Sequence, residues 1–173
     1  MIQYTSKQIL KSLKKVGLKR GDTLLICPQL YTFGKLDGAL SNQKYYQIFF
    51  DVIKSIVGSN GTICINSYSF QTTRHGKNFY LENTKCTSGE FSEYIRNLKG
   101  SVRSIHPSFS VCSIGKNKKK ISSNNSNTNY GYNSPYDEML KLNAKVLNLG
   151  FRSNGLSEDQ DTFGIFLIFK NIN

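Results

Sequence analysis

The chain has 173 residues, 38% of them hydrophobic, and a net charge of +12. That length suffices for one domain with its own core, while no apolar run approaches the ~20 residues of a membrane-spanning helix. The basic balance bears on partners, because such a surface concentrates anions, and leaves the fold open. Cys27, Cys64, Cys86 and Cys112 include no C-x-x-C pair, and only two histidines are available to join them in a metal site. No metal is therefore expected, and the cysteines read as small buried hydrophobes of a reducing compartment. The first residues lack a signal-peptide pattern, so a cytoplasmic location is expected.

In chain order, Ile9, Leu10, Leu13 and Val16 repeat at helical spacing behind the caps Thr5 or Ser6, predicting a helix over Ser6 to Val16 that Gly17 ends. The short apolar run from Asp22 to Cys27 predicts a strand buried on both faces. Tyr45, Ile48, Phe49, Val52, Ile53, Ile56 and Val57 trace a second helix, and Thr62 to Asn66 a second buried strand. This strand-helix-strand order predicts a parallel pair. Ser67 to Ser88 is polar, aromatic and irregular, a length that is usually functional, and substrate contacts are expected near it. A short helix is predicted over Glu90 to Leu98. Two strands follow, Ser101 to Ser104 and Ser110 to Ile114, around the turn from Ile105 to Phe109. Pro135 opens a helix, and Lys145 to Gly150 forms a third core strand. The lysines from Lys116 to Lys120 read as a solvated face. Alternating strands and helices make the fold class α/β.

The local motifs occur in an ordered set. Gly17 to Asp22 has the pattern Gly-x-x-x-Gly-Asp before a strand, and Gly34 and Gly38 punctuate the following loop. Arg103-Ser104-Ile105-His106-Pro107-Ser108-Phe109-Ser110 fits Arg-Ser-x-His-Pro-x-x-Ser, and Ser134-Pro135 opens a helix before the strand from Lys145. This set, spanning about residues 5 to 150, resembles the aminoglycoside 3-N-acetyltransferase family. The resemblance implies a layered α/β/α fold with a mostly parallel central sheet, acetyl-CoA as donor, and an amine of an aminoglycoside or amino sugar as acceptor. It further implies that Gln29, Leu30, Arg103, Ser104, His106 and Ser110 lie at the cofactor site. His75 is the candidate for the substrate side from its place in the polar loop. His106 has a second reading, holding its turn by a ring-to-backbone hydrogen bond.

Two features depart from the family pattern. Cys27, Pro28 and Gln29 replace the first three residues of its His-Ser-Ser-Leu stretch, and no histidine follows His106, where the family has a His-x-x-Glu base. The catalytic base is thus unassigned. The expectation is an acetyltransferase-like domain over 1–150, incomplete at its C-terminus, and a divergent tail over 151–173 that has left the ancestral reading frame. A polycationic aminoglycoside would be repelled by the net charge unless the cleft is locally acidic, which favours an anionic, nucleotide-linked amino sugar. The alternatives are a basic nucleic-acid-binding module and a non-catalytic remnant. Nucleic acid is the less favoured partner because no binding signature is present; a homodimer is allowed by the resemblance.

Overall fold

The computed structural model describes residues 3–123, 126, 128–150 and, as backbone, 165–168. The predicted tail over 151–173 lies outside the described residues, save for that one strand. The elements run β1 (Gln3–Tyr4), α1 (Ser6–Lys15), β2 (Thr23–Pro28), β3 (Lys35–Leu36), α2 (Asn42–Val57), β4 (Thr62–Asn66), α3 (Phe70–His75) and α4 (Glu90–Arg96). They continue with β5 (Val102–Arg103), β6 (Val111–Gly115), α5 (Lys118–Ser122), α6 (Pro135–Lys141), β7 (Lys145–Leu149) and β8 (Ile165–Ile168). Thr5 caps α1 reciprocally: its Oγ1 accepts from the Gln8 N–H, and Gln8 Oε1 accepts from the Thr5 N–H at 2.8 Å.

The main sheet has the order β5-β6-β4-β2-β7-β8. Its alternation sorts side chains into two layers. Leu24, Ile26, Ile63, Ile65, Cys112, Leu147 and Leu149 pack against α1, α2 and α4 through Ile9, Leu13, Phe49, Ile53, Phe91 and Ile95. On the other face Leu25, Cys64 and Val111 meet Ile121 of α5 and Met139 of α6. This is the expected α/β/α layering. Fully enclosing an aliphatic or phenyl side chain of this kind stabilises the fold by roughly 1.5–3 kcal/mol, so the two layers supply most of the driving force.

The mostly parallel sheet inferred from the resemblance is corrected. Only β2–β4 and β2–β7 are parallel, whereas β4–β6, β5–β6 and β7–β8 are antiparallel. The reason is local: β5 and β6 are joined by the short turn over 104–110, and a tight connection can return a chain only in the opposite direction. The cysteine expectation is corrected in part. Cys64 and Cys112 are buried, but Cys27 and Cys86 are half-exposed; all four are free thiols.

Candidate functional site

The parallel strands β4, β2 and β7 all point their carboxyl ends the same way, and an open cleft lies at the end of β2. In α/β sheets this is the edge where ligands bind. The cleft encloses about 760 Å³, within the range of small-molecule sites. Its floor is the chain leaving β2, where the Gln29 N–H donates to the Leu149 carbonyl at 2.6 Å and Leu30–Thr32 forms one 3-10 turn. Thr32 Oγ1 lies 2.9 Å from both the Gln29 and Gly150 carbonyls, and Tyr45 Oη donates to the Leu30 carbonyl at 2.9 Å. Gly150, at φ +84°, is required here, because a Cβ would collide with Thr32 Oγ1 and the Gln29 carbonyl. The walls come from the amino ends of α2 (Ser41, Asn42) and α4 (Gly89, Glu90). Tyr31 and Leu40 stand exposed on the rim, at 82% and 98% of their full surface.

Two of the predicted cofactor residues, Gln29 and Leu30, line this cleft; Arg103, Ser104, His106 and Ser110 do not. These four form a clasp beside it. Arg103 is buried, and its five N–H donors meet five acceptors: Ser110 Oγ, the carbonyls of Leu81, Thr84 and Ser67, and Ser69 Oγ. Every N–H donor of Arg103 thus has a protein acceptor. Ser110 Oγ donates to the Ser67 carbonyl at 2.5 Å, and Ser104 Oγ accepts from the Val111 N–H at 2.9 Å. Their hydroxyls extend the β4–β6 and β5–β6 ladders inward, so both serines have internal partners.

His106 Nδ1 accepts from the N–H groups of Ser108 and Phe109 at 3.2 and 3.0 Å. An acceptor Nδ1 carries no proton, so the ring is neutral with its proton on Nε2; burial also holds its pKa below the ordinary value. The crevice beside it measures about 10 Å³, barely one water. These bonds fit the turn-holding reading of His106. His75 ends α3, exposed and outside the cleft, and Gly76 follows it in the left-handed conformation. Of the loop expected to touch substrate, only Ser88 lines the cleft; Arg103 holds the Ser67, Leu81 and Thr84 carbonyls, and Ser88 Oγ accepts from the Tyr68 N–H.

Several cations gather at the far end of the sheet. Lys19 and Arg20 precede β2, Lys54 ends α2, Lys99 precedes β5, and Lys116, Lys118 and Lys119 follow β6, all at the end opposite the cleft. Backbone contacts prove the convergence: Gly21 N–H donates to the Val57 carbonyl, and Lys116 N–H to that of Gly61. Asp22 there is already paired with Lys145 at 2.7 Å. The lysine run after β6 is therefore not only a solvated face. It is α5, with Ile121 buried beneath it and Lys118 Nζ donating to the Gly100 carbonyl at 2.7 Å.

The sequence model described as aminoglycoside 3-N-acetyltransferase matches residues 34–156. Comparison with curated protein sequences returns no match. Among solved structures, the chain is similar to aminoglycoside acetyltransferase AAC(3)-Xa, with TM-score 0.74, 23% identity, and coverage of 86% of this chain and 56% of that one. It is similar to AAC-IIIb in its binary complex with CoASH, with TM-score 0.74, 19% identity, and coverage of 86% and 60%. The YokD protein from Bacillus subtilis shows TM-score 0.74 at 26% identity, with coverage of 85% and 65%. The chain thus spans 56 to 65% of the length of these relatives. With the family match running over more than half of its residues and the fold agreeing with it, the chain belongs to the aminoglycoside 3-N-acetyltransferase family.

Proposed function

We propose that this protein transfers an acetyl group from acetyl-CoA to an amine of an aminoglycoside, or of an amino sugar like it, in the cytoplasm where acetyl-CoA is made. The observation that carries the reading is the open cleft at the carboxyl end of β2, whose walls fall within the family match. AAC-IIIb, of the same fold, has been solved with CoASH, and AAC-VIa bound to sisomicin. The cleft suits a pantetheine arm. Leu30, Leu36 and Ala39 give it apolar walls, Lys35 is the cation available to a phosphate, and Gln29 adds an amide.

In the reaction the amine lone pair forms a C–N bond to the thioester carbonyl. Collapse of the tetrahedral intermediate breaks the C–S bond, and the amine proton leaves so that CoA departs as its thiol. The N–H groups of Leu30 and Tyr31, first in their turn and without acceptors inside it, suit the transient oxyanion. Neither histidine of the chain lines the cleft, so neither is assigned as base.

The charge at the cleft itself bears on the acceptor argument drawn from the sequence. Its lining holds one cation, Lys35, and one carboxylate, Glu90, and so adds no net positive charge of its own. A polycationic acceptor is therefore admitted. Release of CoA thiol, followed with a disulfide reagent, tests the reading. Turnover with sisomicin above that with a nucleotide-linked glucosamine is expected. Release with neither, or with the nucleotide sugar alone, contradicts it.

A further inference from the structure

Glu90 is the single carboxylate among the residues that line the cleft. It is the first residue of α4, and Tyr46, 44 positions earlier on α2, donates its phenol proton to Glu90 Oε2 at 2.5 Å. The phenol itself is held in place. The Tyr46 ring lies 5.8 and 6.0 Å from those of Phe91 and Tyr94, and edge-on to Tyr45 at 5.9 Å. Burial and the neighbouring Glu90 charge push its proton affinity well above that of a free phenol, so Tyr46 stays a donor throughout the working pH range. Among the described residues Glu90 Oε1, by contrast, has no protein partner, and no cation lies within ion-pair reach of either oxygen. The result is a negative charge, fixed in direction on one side and open on the other, at the wall of the cleft.

A carboxylate in the first turn also complements the amino end of a helix. That role alone would need neither a clamp from another helix nor a position facing the cleft. Orienting a side chain beforehand removes part of the ordering cost of binding. A free carboxylate oxygen at the wall of a cleft fits one chemistry above others, the N–H groups of an ammonium ion.

We propose that Glu90, oriented by Tyr46, anchors an ammonium group of the amino-sugar acceptor and so sets the preference for a cationic substrate. The assignment rests on the acetyltransferase reading for the identity of the acceptor. It goes beyond that reading in naming the residue pair and the substrate charge it selects. Glu90 takes no part in proton transfer here; its contribution is to binding.

Titration of sisomicin into the protein in the presence of CoA, measured by calorimetry at low salt, tests this directly. Glu90→Gln is expected to weaken sisomicin binding about tenfold, in line with loss of one charge-assisted hydrogen bond, and to leave CoA affinity unchanged. Glu90→Asp restores part of the loss. Tyr46→Phe, which keeps the ring packing and removes only the proton, gives an intermediate effect. Raised salt weakens the wild type more than Glu90→Gln. Glu82→Gln, a carboxylate on the exposed loop outside the cleft, serves as control and changes nothing. Equal sisomicin affinity in wild type and Glu90→Gln overturns the proposal, as does a loss that Glu82→Gln reproduces or one accompanied by equal loss of CoA binding. Wild-type protein that binds no sisomicin overturns it whatever CoA does. Sisomicin binding that depends on Glu90 in protein that ignores CoA upholds the anchor while the acetyl-CoA reading fails.

Discussion

His106 is held as a neutral ring by two backbone N–H donors, and protonating Nδ1 would turn that acceptor into a third donor facing them. With its folded pKa depressed by burial, the unfolded chain binds this proton more readily than the native one. The stability contributed by the group is thus complete above the ordinary histidine pKa of about 6.5 and is lost as pH falls from there through the folded value. Denaturant melts at pH 7.5 and pH 5 check this. The wild type should lose more stability on acidification than His106→Gln, which carries no titrating ring, and equal losses would contradict the sign. Glu93 illustrates the opposite direction. Burial raises its carboxyl, but hydrogen bonds from Arg96, the Cys86 N–H and Asn97 outweigh this and bring it down to about 2. That carboxylate ties the segment before α4 to the helix, through Cys86, and helps fix the cleft wall carrying Gly89 and Glu90.

The elements show which features of a sequence report three-dimensional structure. The strands β2, β4 and β7 are continuous apolar runs because both their faces are covered, and α1 and α2 announce themselves by a one-sided apolar stripe; all five were legible within a residue or two. By contrast, β1 and β3 are two residues each and carry no period, and α5 hides one buried isoleucine behind three lysines. The serine of α5 gave no signal either, since Ser122 is buried by bonding Ser113 across nine residues. The Arg-Ser-x-His-Pro-x-x-Ser motif was legible as a unit but not as a clasp, because the acceptors of Arg103 lie 7 to 36 positions away on three segments. The same distance concealed Tyr46 and Glu90, each of which reads alone as an ordinary helix residue. Only Gln29 and Leu30, adjacent in sequence to a core strand, were placed in the cleft from sequence. At this scale Arg103→Lys is the informative change. A lysine keeps the charge but cannot serve five spread acceptors, and the stranded buried groups should cost about 2–4 kcal/mol. Calorimetry should then show a melting temperature lower by roughly 4–16 °C for a domain of this size; a shift under 2 °C would mean that the clasp contributes little.

For the molecule as a whole, one sheet separates two apolar layers. The lining of the cleft carries two charged residues of opposite sign, Lys35 and Glu90, whereas Lys19, Arg20, Lys54, Lys99, Lys116, Lys118 and Lys119 lie at the opposite end of the sheet. A net charge of +12 read from composition alone cannot reveal that division, because location and not number decides what field a ligand meets. Among the described residues no helix is long and apolar enough to cross a membrane. The central claim is that the cleft at the end of β2 receives acetyl-CoA, and thermal melting against rising acetyl-CoA tests it most directly, since a ligand bound only by the native state adds RT ln(1 + [L]/Kd) to stability. The account predicts a melting temperature that climbs steadily with the logarithm of concentration, by roughly 5–10 °C at a hundredfold excess over Kd. A melting temperature unmoved up to millimolar acetyl-CoA would contradict it.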